Sequence, residues 1–280
     1  MKISPVSFYS YQFKGSSFEE PQRKVCEDYQ NAMPMGQVYH KGALFNRHGT
    51  MYFRSDLDWI KFGKYLKNKF SNCNKVQSLI WGCSAGHEAY SYSILLKYIF
   101  DDDFKKFLPI EAMDIDSELI KKNQNQKQAG IVLNTCNIDT IKNGLGILSN
   151  DFYTQNLPEF CKLRNGNYQF SDEISDSVNF SYSNILTSLD RIDSSAPAIV
   201  MCRNMWPYVA FYKYDDFAEE LYKKLKAGSV VVVGGYDWSG KKAIANSGSF
   251  PKTLIEKGFK PVYDIHIMDG SKNTPLVFEK

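Results

Sequence analysis

Residues 229–235 of this 280-residue chain read SVVVVGG. Four β-branched residues in a row, with no polar alternation and glycines behind them, describe a strand covered on both faces. Such a strand belongs to a mostly parallel sheet, and a parallel sheet needs helices to carry the chain back between strands. The rest of the sequence supplies that alternation. Leu57, Ile60, Phe62, Tyr65, Leu66 and Phe70 recur at helical spacing. Val76–Cys83 (VQSLIWGC) reads as a buried strand ending in small residues, and His87–Phe100 as a helix. Leu108–Met113 is a second strand, followed by a helix over Ser117–Gln128 with Ser117 at the N-cap and Gly130 just past the end. Ala198–Cys202 is a strand, and Tyr214–Lys226 a helix that stops before Gly228. Pro261–Met268 and Pro275–Phe278 flank Asp269-Gly270, a hairpin signal that adds an antiparallel strand. Residues 155–183 break the rhythm: Asn165-Gly166, then YQF, then VNFSYS predict a small antiparallel insertion of two or three strands. Residues 1–50 hold neither period for long, apart from an expected helix over Phe18–Ala32.

Composition removes several function classes. The 34 basic and 31 acidic residues leave a net charge of +3, too balanced to recruit nucleic acid or an anionic membrane by bulk charge. The six cysteines form no CxxC pair and the four histidines no HxxxH or HExxH pair, so a metal site has little support. Cys83 and Cys202 sit in apolar runs and read as small buried hydrophobes. No apolar run approaches the about 18 residues of a membrane span, and the first residues lack the apolar stretch of a signal peptide. The expectation is a reduced, cytoplasmic protein.

In open α/β sheets ligands bind beyond the carboxyl ends of the strands. The first clear strand runs into WGCSAGHEAYS, where Gly82 and Gly86 bracket small residues and let the backbone approach a ligand. The turn matches neither GxGxxG nor a Walker A loop, and tight packing explains it equally well. The second strand ends in AMDID, where Asp114 is placed to accept ribose hydroxyls and Asp116 to cap the next helix. Together the turn and the acid suggest a nucleoside cofactor. Arg203 and Asn204 leave a third buried strand and either face the cleft or serve as a salt bridge and a turn cap. Trp206 reads as wall packing.

At these residues the chain resembles the CheR family of chemotaxis methyltransferases. Residues 50–54, TMYFR, resemble the family's T-x-F-F-R segment. Ile80–Ser91 (IWGCSAGHEAYS) is similar to its glycine-containing block, and Ala112–Asp116 to its A-T-D-I-D. Val178–Ile185 (VNFSYSNI) resembles V-x-F-x-x-x-N-L, and Ile199–Tyr208 resembles I-F-C-R-N-V-x-I-Y. The resemblance implies a Rossmann-like class I methyltransferase: a seven-stranded, mostly parallel sheet with one antiparallel strand and a small antiparallel β insertion. It implies a divergent amino-terminal segment and lead-in helix over 1–70, and a methyltransferase domain over 71–280 with the insertion at about 155–183. The implied cofactor is S-adenosylmethionine, leaving as S-adenosylhomocysteine. Thr50 and Arg54 would reach its methionine end and the reacting centre, Gly82 would line it, and Glu88 would bind its amino group. Asp114 would hold the ribose, Asn184 and Ile185 would frame the adenine, Arg203 and Asn204 would lie along the cofactor, and Tyr208 would face the methyl group. The implied acceptor is a glutamate on a protein such as a chemoreceptor, docked through the β insertion. The chain departs from the family pattern at His48, at His87-Glu88-Ala89, at Pro207 and at Gly235-Tyr236-Asp237-Trp238. Those changes spare most cofactor positions and bear on the acceptor, so the same fold with another acceptor, or a cofactor-binding module without turnover, are the alternative expectations.

Overall fold

A computed structural model of the chain describes residues 50–149, 157–209, 211–239, 249–266 and 274–280. The expected helix over Phe18–Ala32, His48 and the Asp269-Gly270 turn lie outside the described residues. In chain order the elements are α1 (Trp59–Phe70), β1 (Gln77–Trp81), α2 (His87–Phe100), β2 (Ile110–Asp114), α3 (Ser117–Ala129), β3 (Val132–Leu133) and α4 (Thr135–Ser149). There follow α5 (Leu157–Phe160), β4 (Cys161–Arg164), β5 (Asn167–Phe170), α6 (Asp172–Asp176), β6 (Val178–Tyr182) and β7 (Ala198–Met201). The chain closes with α7 (Tyr214–Lys224), β8 (Val230–Val232), α8 (Tyr236–Ser239), α9 (Phe250–Glu256), β9 (Lys260–Pro261) and β10 (Val277–Glu279).

The main sheet has seven strands in the order β6-β2-β1-β7-β8-β10-β9. Neighbours pair in parallel from β6 to β8, while β10 runs antiparallel to both β8 and β9. This is the Rossmann-like class I arrangement, with β10 as its one antiparallel strand. The chain builds outward from β1 through β2 to β6, then returns to lay β7 on the other side of β1. The crevice of such a fold opens at that reversal, beyond the carboxyl ends of β1 and β7. The central strands β7 and β8 are apolar throughout: Ala198–Met201 and Val230–Val232 are fully buried, as a doubly covered sheet requires.

Local chemistry sets the helix ends. Asp58 caps α1 by accepting from Lys61 N at 3.0 Å. Of the two expected caps, Asp116 rather than Ser117 caps α3, accepting from Glu118 N at 3.1 Å and Leu119 N at 3.0 Å. Gly130, at φ +81°, ends α3.

The insertion differs from its expected span. Its three-stranded sheet is ordered β3-β5-β4, all antiparallel, so it draws on Val132–Leu133, upstream of residue 155. VNFSYS is no part of it: Val178–Tyr182 is β6, the edge of the main sheet, paired in parallel with β2 over five residues. The misassignment has a physical cause. An edge strand has one solvated face, and buried Val178 and Phe180 flanking exposed Asn179 give the alternation of an antiparallel hairpin. Asn165 and Gly166 turn at φ +49° and +78°, joining β4 to β5 as the Asn-Gly signal predicts. Among the described residues, no helix is long and apolar enough to cross a membrane.

Candidate active site

Three adjacent strands deliver the first half of the site. Beyond β1, Gly82, Ser84 and Gly86 all take positive φ, at +71°, +50° and +79°. The turn is therefore coiled tightly, and a Cβ on Gly86 would stand 2.7 Å from the Phe180 ring. Asp114, at the tip of β2, fastens that turn: its carboxylate accepts from Ser84 N at 2.8 Å and from Asp116 N at 3.0 Å. Asn123 on α3 donates to Ser84 O at 2.7 Å. At the tip of β6, Ser183 N donates to Asp114 O at 3.0 Å, and Asn184 accepts from Leu186 N at 3.0 Å to open the turn carrying Ile185. Gly82, Asp114, Asn184 and Ile185 are thus brought to neighbouring strand ends.

The second half is a cluster of charge beneath the first turn of α2 and the tip of β7. The Arg203 side chain is wholly buried. Its Nη1 donates to Glu88 Oε2 at 2.8 Å, its Nη2 donates to Asp56 Oδ1, and its guanidinium lies 5.5 Å from the Trp59 ring centroid. Arg54 Nε stands 3.7 Å from the same Asp56 oxygen, with its guanidinium over Tyr236. Burial alone would raise the Asp56 carboxyl, but Arg203, the Asn204 amide, Arg54 and the Gly235 N–H outweigh it and hold Asp56 below the usual carboxylate range. Glu88 moves the other way: burial raises it, and the neighbouring Asp56 charge adds to the rise against the pull of Arg203.

Asn204, at φ +59°, is a clamp within this cluster. It donates to Asp56 Oδ2 at 3.0 Å and accepts from Tyr236 N at 3.1 Å. Asp237 closes the same turn from below, accepting from Asn204 N at 2.7 Å, Gly234 N at 2.7 Å and Trp206 N at 3.1 Å. Tyr208 is half-buried at the end of that turn. Trp206 is core, stacked on Phe250 with ring centroids 3.3 Å apart, and Cys83 and Cys202 are buried. Thr50 is half-buried, and its backbone hydrogen-bonds the His87 ring. Burial lowers His87 to about 4, so the imidazole is neutral and packs edge-on against Tyr52.

Sequence reasoning missed Asp56 and gave Asp237 no role. Asp237 carried a usable signal, an acid just past a buried strand, the same signal that marks Asp114. Asp56 carried none, because its partners lie 147 and 148 residues away.

The residues present fit an aminoacyl-nucleoside. Asp114 is an acceptor for hydroxyl donors, the left-handed turn at Gly82 clears room for close backbone approach, and Glu88 offers an anion to an ammonium group. The match to a family model agrees. The family model described as CheR methyltransferase, SAM binding domain, matches residues 48–244. A protein named chemotaxis protein methyltransferase 2, from Vibrio cholerae serotype O1, is 26% identical over 158 residues, which is 55% of this chain and 49% of that protein. The chain therefore spans about half the length of that curated relative. Among solved structures, a putative caffeoyl-CoA O-methyltransferase from Staphylococcus aureus is 10% identical, with 79% of this chain and 82% of that one covered and a TM-score of 0.41. The methyltransferase domain of bacterial CtHen1-CN is 11% identical, with 79% and 98% covered and a TM-score of 0.40.

Proposed function

The chain belongs to the CheR methyltransferase family, whose matched domain binds S-adenosylmethionine, and on that premise we propose that it methylates a glutamate side-chain carboxylate on an acceptor protein. The observation that carries this reading is Arg54. It is a cation one quarter exposed, beside the Glu88–Arg203–Asp56 cluster and close in sequence to Thr50.

When bound, the cofactor supplies an activated methyl group on a cationic sulfur. A glutamate has an unperturbed pKa of about 4.3 and meets it already ionised, so no side chain has to act as base. The protein's task is alignment of the acceptor oxygen, with reacting atoms about 3–3.5 Å apart. Arg54 orients that oxygen by a charge-assisted hydrogen bond. Glu88 holds the amino group of the cofactor and Asp114 its ribose, and Asn184 with Ile185 flanks its base. Tyr208 shields the reacting centre. Arg203 and Asn204 act by shaping the wall, since their side chains are engaged with Glu88 and Asp56. The small sheet docks the acceptor: β4 is one of its two edge strands, with Leu163 exposed between Lys162 and Arg164. We place that acceptor among chemoreceptors, in keeping with the relative named chemotaxis protein methyltransferase 2.

A second reading keeps the fold and cofactor and changes the acceptor. It is favoured by the Gly235–Trp238 segment, which departs from the family pattern at the crevice. Incubation with tritiated S-adenosylmethionine and a proteome separates the two. Base-labile label on protein supports the carboxylate acceptor; label confined to small molecules, or stable to base, overturns it.

A further inference from the structure

We propose that Asp56 is an internal carboxylate that occupies the crevice's arginines and thereby sets how weakly an acceptor carboxylate binds; the proposal rests on the carboxylate-acceptor reading above. Arg203 is closed to any acceptor. Its side chain is wholly buried, one terminal nitrogen is given to Glu88 and the other to Asp56. Arg54 is the cation an acceptor can reach, and it already faces Asp56 Oδ1, the oxygen that takes Arg203. The other oxygen, Oδ2, accepts from Asn204 Nδ2 at 3.0 Å and from Gly235 N at 3.4 Å. One carboxylate therefore accepts from Arg203, Asn204 and Gly235 and is ion-paired with Arg54 as well. That is the donor set a bound glutamate would ask for.

Asp56 and Glu88 already stand against Arg203, and Asp56 also faces Arg54. An incoming carboxylate must share Arg54 with Asp56 and bears the repulsion of a like charge. Removing the Asp56 charge takes away the like charge that an incoming carboxylate meets at Arg54. A merely structural Asp56 would act in the opposite sense, because loosening the Asn204–Gly235 turn would weaken every ligand.

The test uses the full chain saturated with S-adenosylhomocysteine and, as probe, N-acetylglutamate α-amide, whose side chain is its one carboxylate. Binding is followed by NMR titration, with the glutamine analogue as neutral control. Asp56→Asn keeps the shape and an oxygen for Arg203. It is expected to bind the carboxylate probe about fivefold more tightly, the scale of one partly exposed ion pair. Affinity for the neutral analogue and for S-adenosylhomocysteine stays unchanged, and adding Arg54→Gln abolishes the gain. Asp56→Ser gives the same reading should the asparagine variant not fold. Equal or weaker binding of the carboxylate probe, no binding by any variant, or failure of both variants to fold overturns the proposal. The tritium experiment fails separately: base-stable label with a fivefold gain at position 56 would remove the acceptor reading and leave Asp56 as a competitor for anions.

Discussion

Asp237 is 2% exposed, and its carboxylate accepts three backbone N–H groups from the two loops that frame the crevice. Burial dominates those bonds and pushes the group up to about 7. The sign of its effect follows from linkage. Between the ordinary aspartate range near 4 and about 7 the folded chain holds a proton that the unfolded chain has released, so stability falls as pH rises through that window and levels off above it. Asp237→Asn removes that slope. In urea unfolding at pH 5 and pH 8, the difference between the two pH values is expected to shrink in the variant, on a scale of up to a few kcal/mol. At either pH the variant also carries a cost of about 1–3 kcal/mol for the N–H group that an amide cannot accept. An unchanged pH difference would show that the proton is held elsewhere. At this scale the sequence is legible where a residue's role comes from its place on its own strand. Asp114 and Arg203 are found by the strand-end rule, whereas Asp56 acquires its role from partners that only tertiary structure supplies.

Elements were legible in proportion to how far local pattern and tertiary demand agree. A continuous β-branched run identified β8, a short apolar run identified β7, and the helical stripe from Leu57 to Phe70 identified α1. α4 was missed because TCNIDTIKNGLGILS has weak intrinsic helix preference, with threonine, asparagine and two glycines, and holds its place by burying Ile138 and Ile141. The turn between β1 and α2 is the element on which the site depends most. Its role was half visible as two glycines, while the left-handed Ser84 between them was not. Gly86 and Gly166 share almost the same φ, +79° and +78°, but differ in surroundings: a Cβ on Gly86 would stand 2.7 Å from Phe180, whereas one on Gly166 meets nothing within 4 Å. Gly166→Ala is therefore expected to cost about 1 kcal/mol, the backbone penalty alone. Gly86→Ala is expected to cost about 3 kcal/mol, because overpacking adds to it. It should also weaken S-adenosylhomocysteine binding, measured by calorimetry, while Gly166→Ala leaves that affinity intact. Equal costs would mean that Phe180 yields freely.

At the scale of the whole molecule, the proposed function divides chemistry and docking between two sheets. The seven-stranded sheet carries every proposed cofactor residue from Gly82 onward, and the small sheet carries none of them. A net charge of +3 provides little long-range steering, so a protein acceptor has to be captured by local contact. The edge strand β4 has the means: Leu163 is 64% exposed, and Arg164 is held in place by two bonds of 2.9 Å to Asp172. A strand added alongside β4 would take its main-chain hydrogen bonds from the edge and its apolar contact from Leu163. The separation predicts a divided kinetic phenotype. Leu163→Asp is expected to raise KM for a protein acceptor about fivefold or more, as loss of an apolar anchor does, and to leave kcat unchanged. Affinity for S-adenosylhomocysteine and for N-acetylglutamate α-amide should not move, because the residues proposed to hold them lie outside β4. A parallel loss in kcat or in cofactor affinity would mean that the small sheet supports the crevice rather than the acceptor, and the division of labour between the two sheets would have to be abandoned.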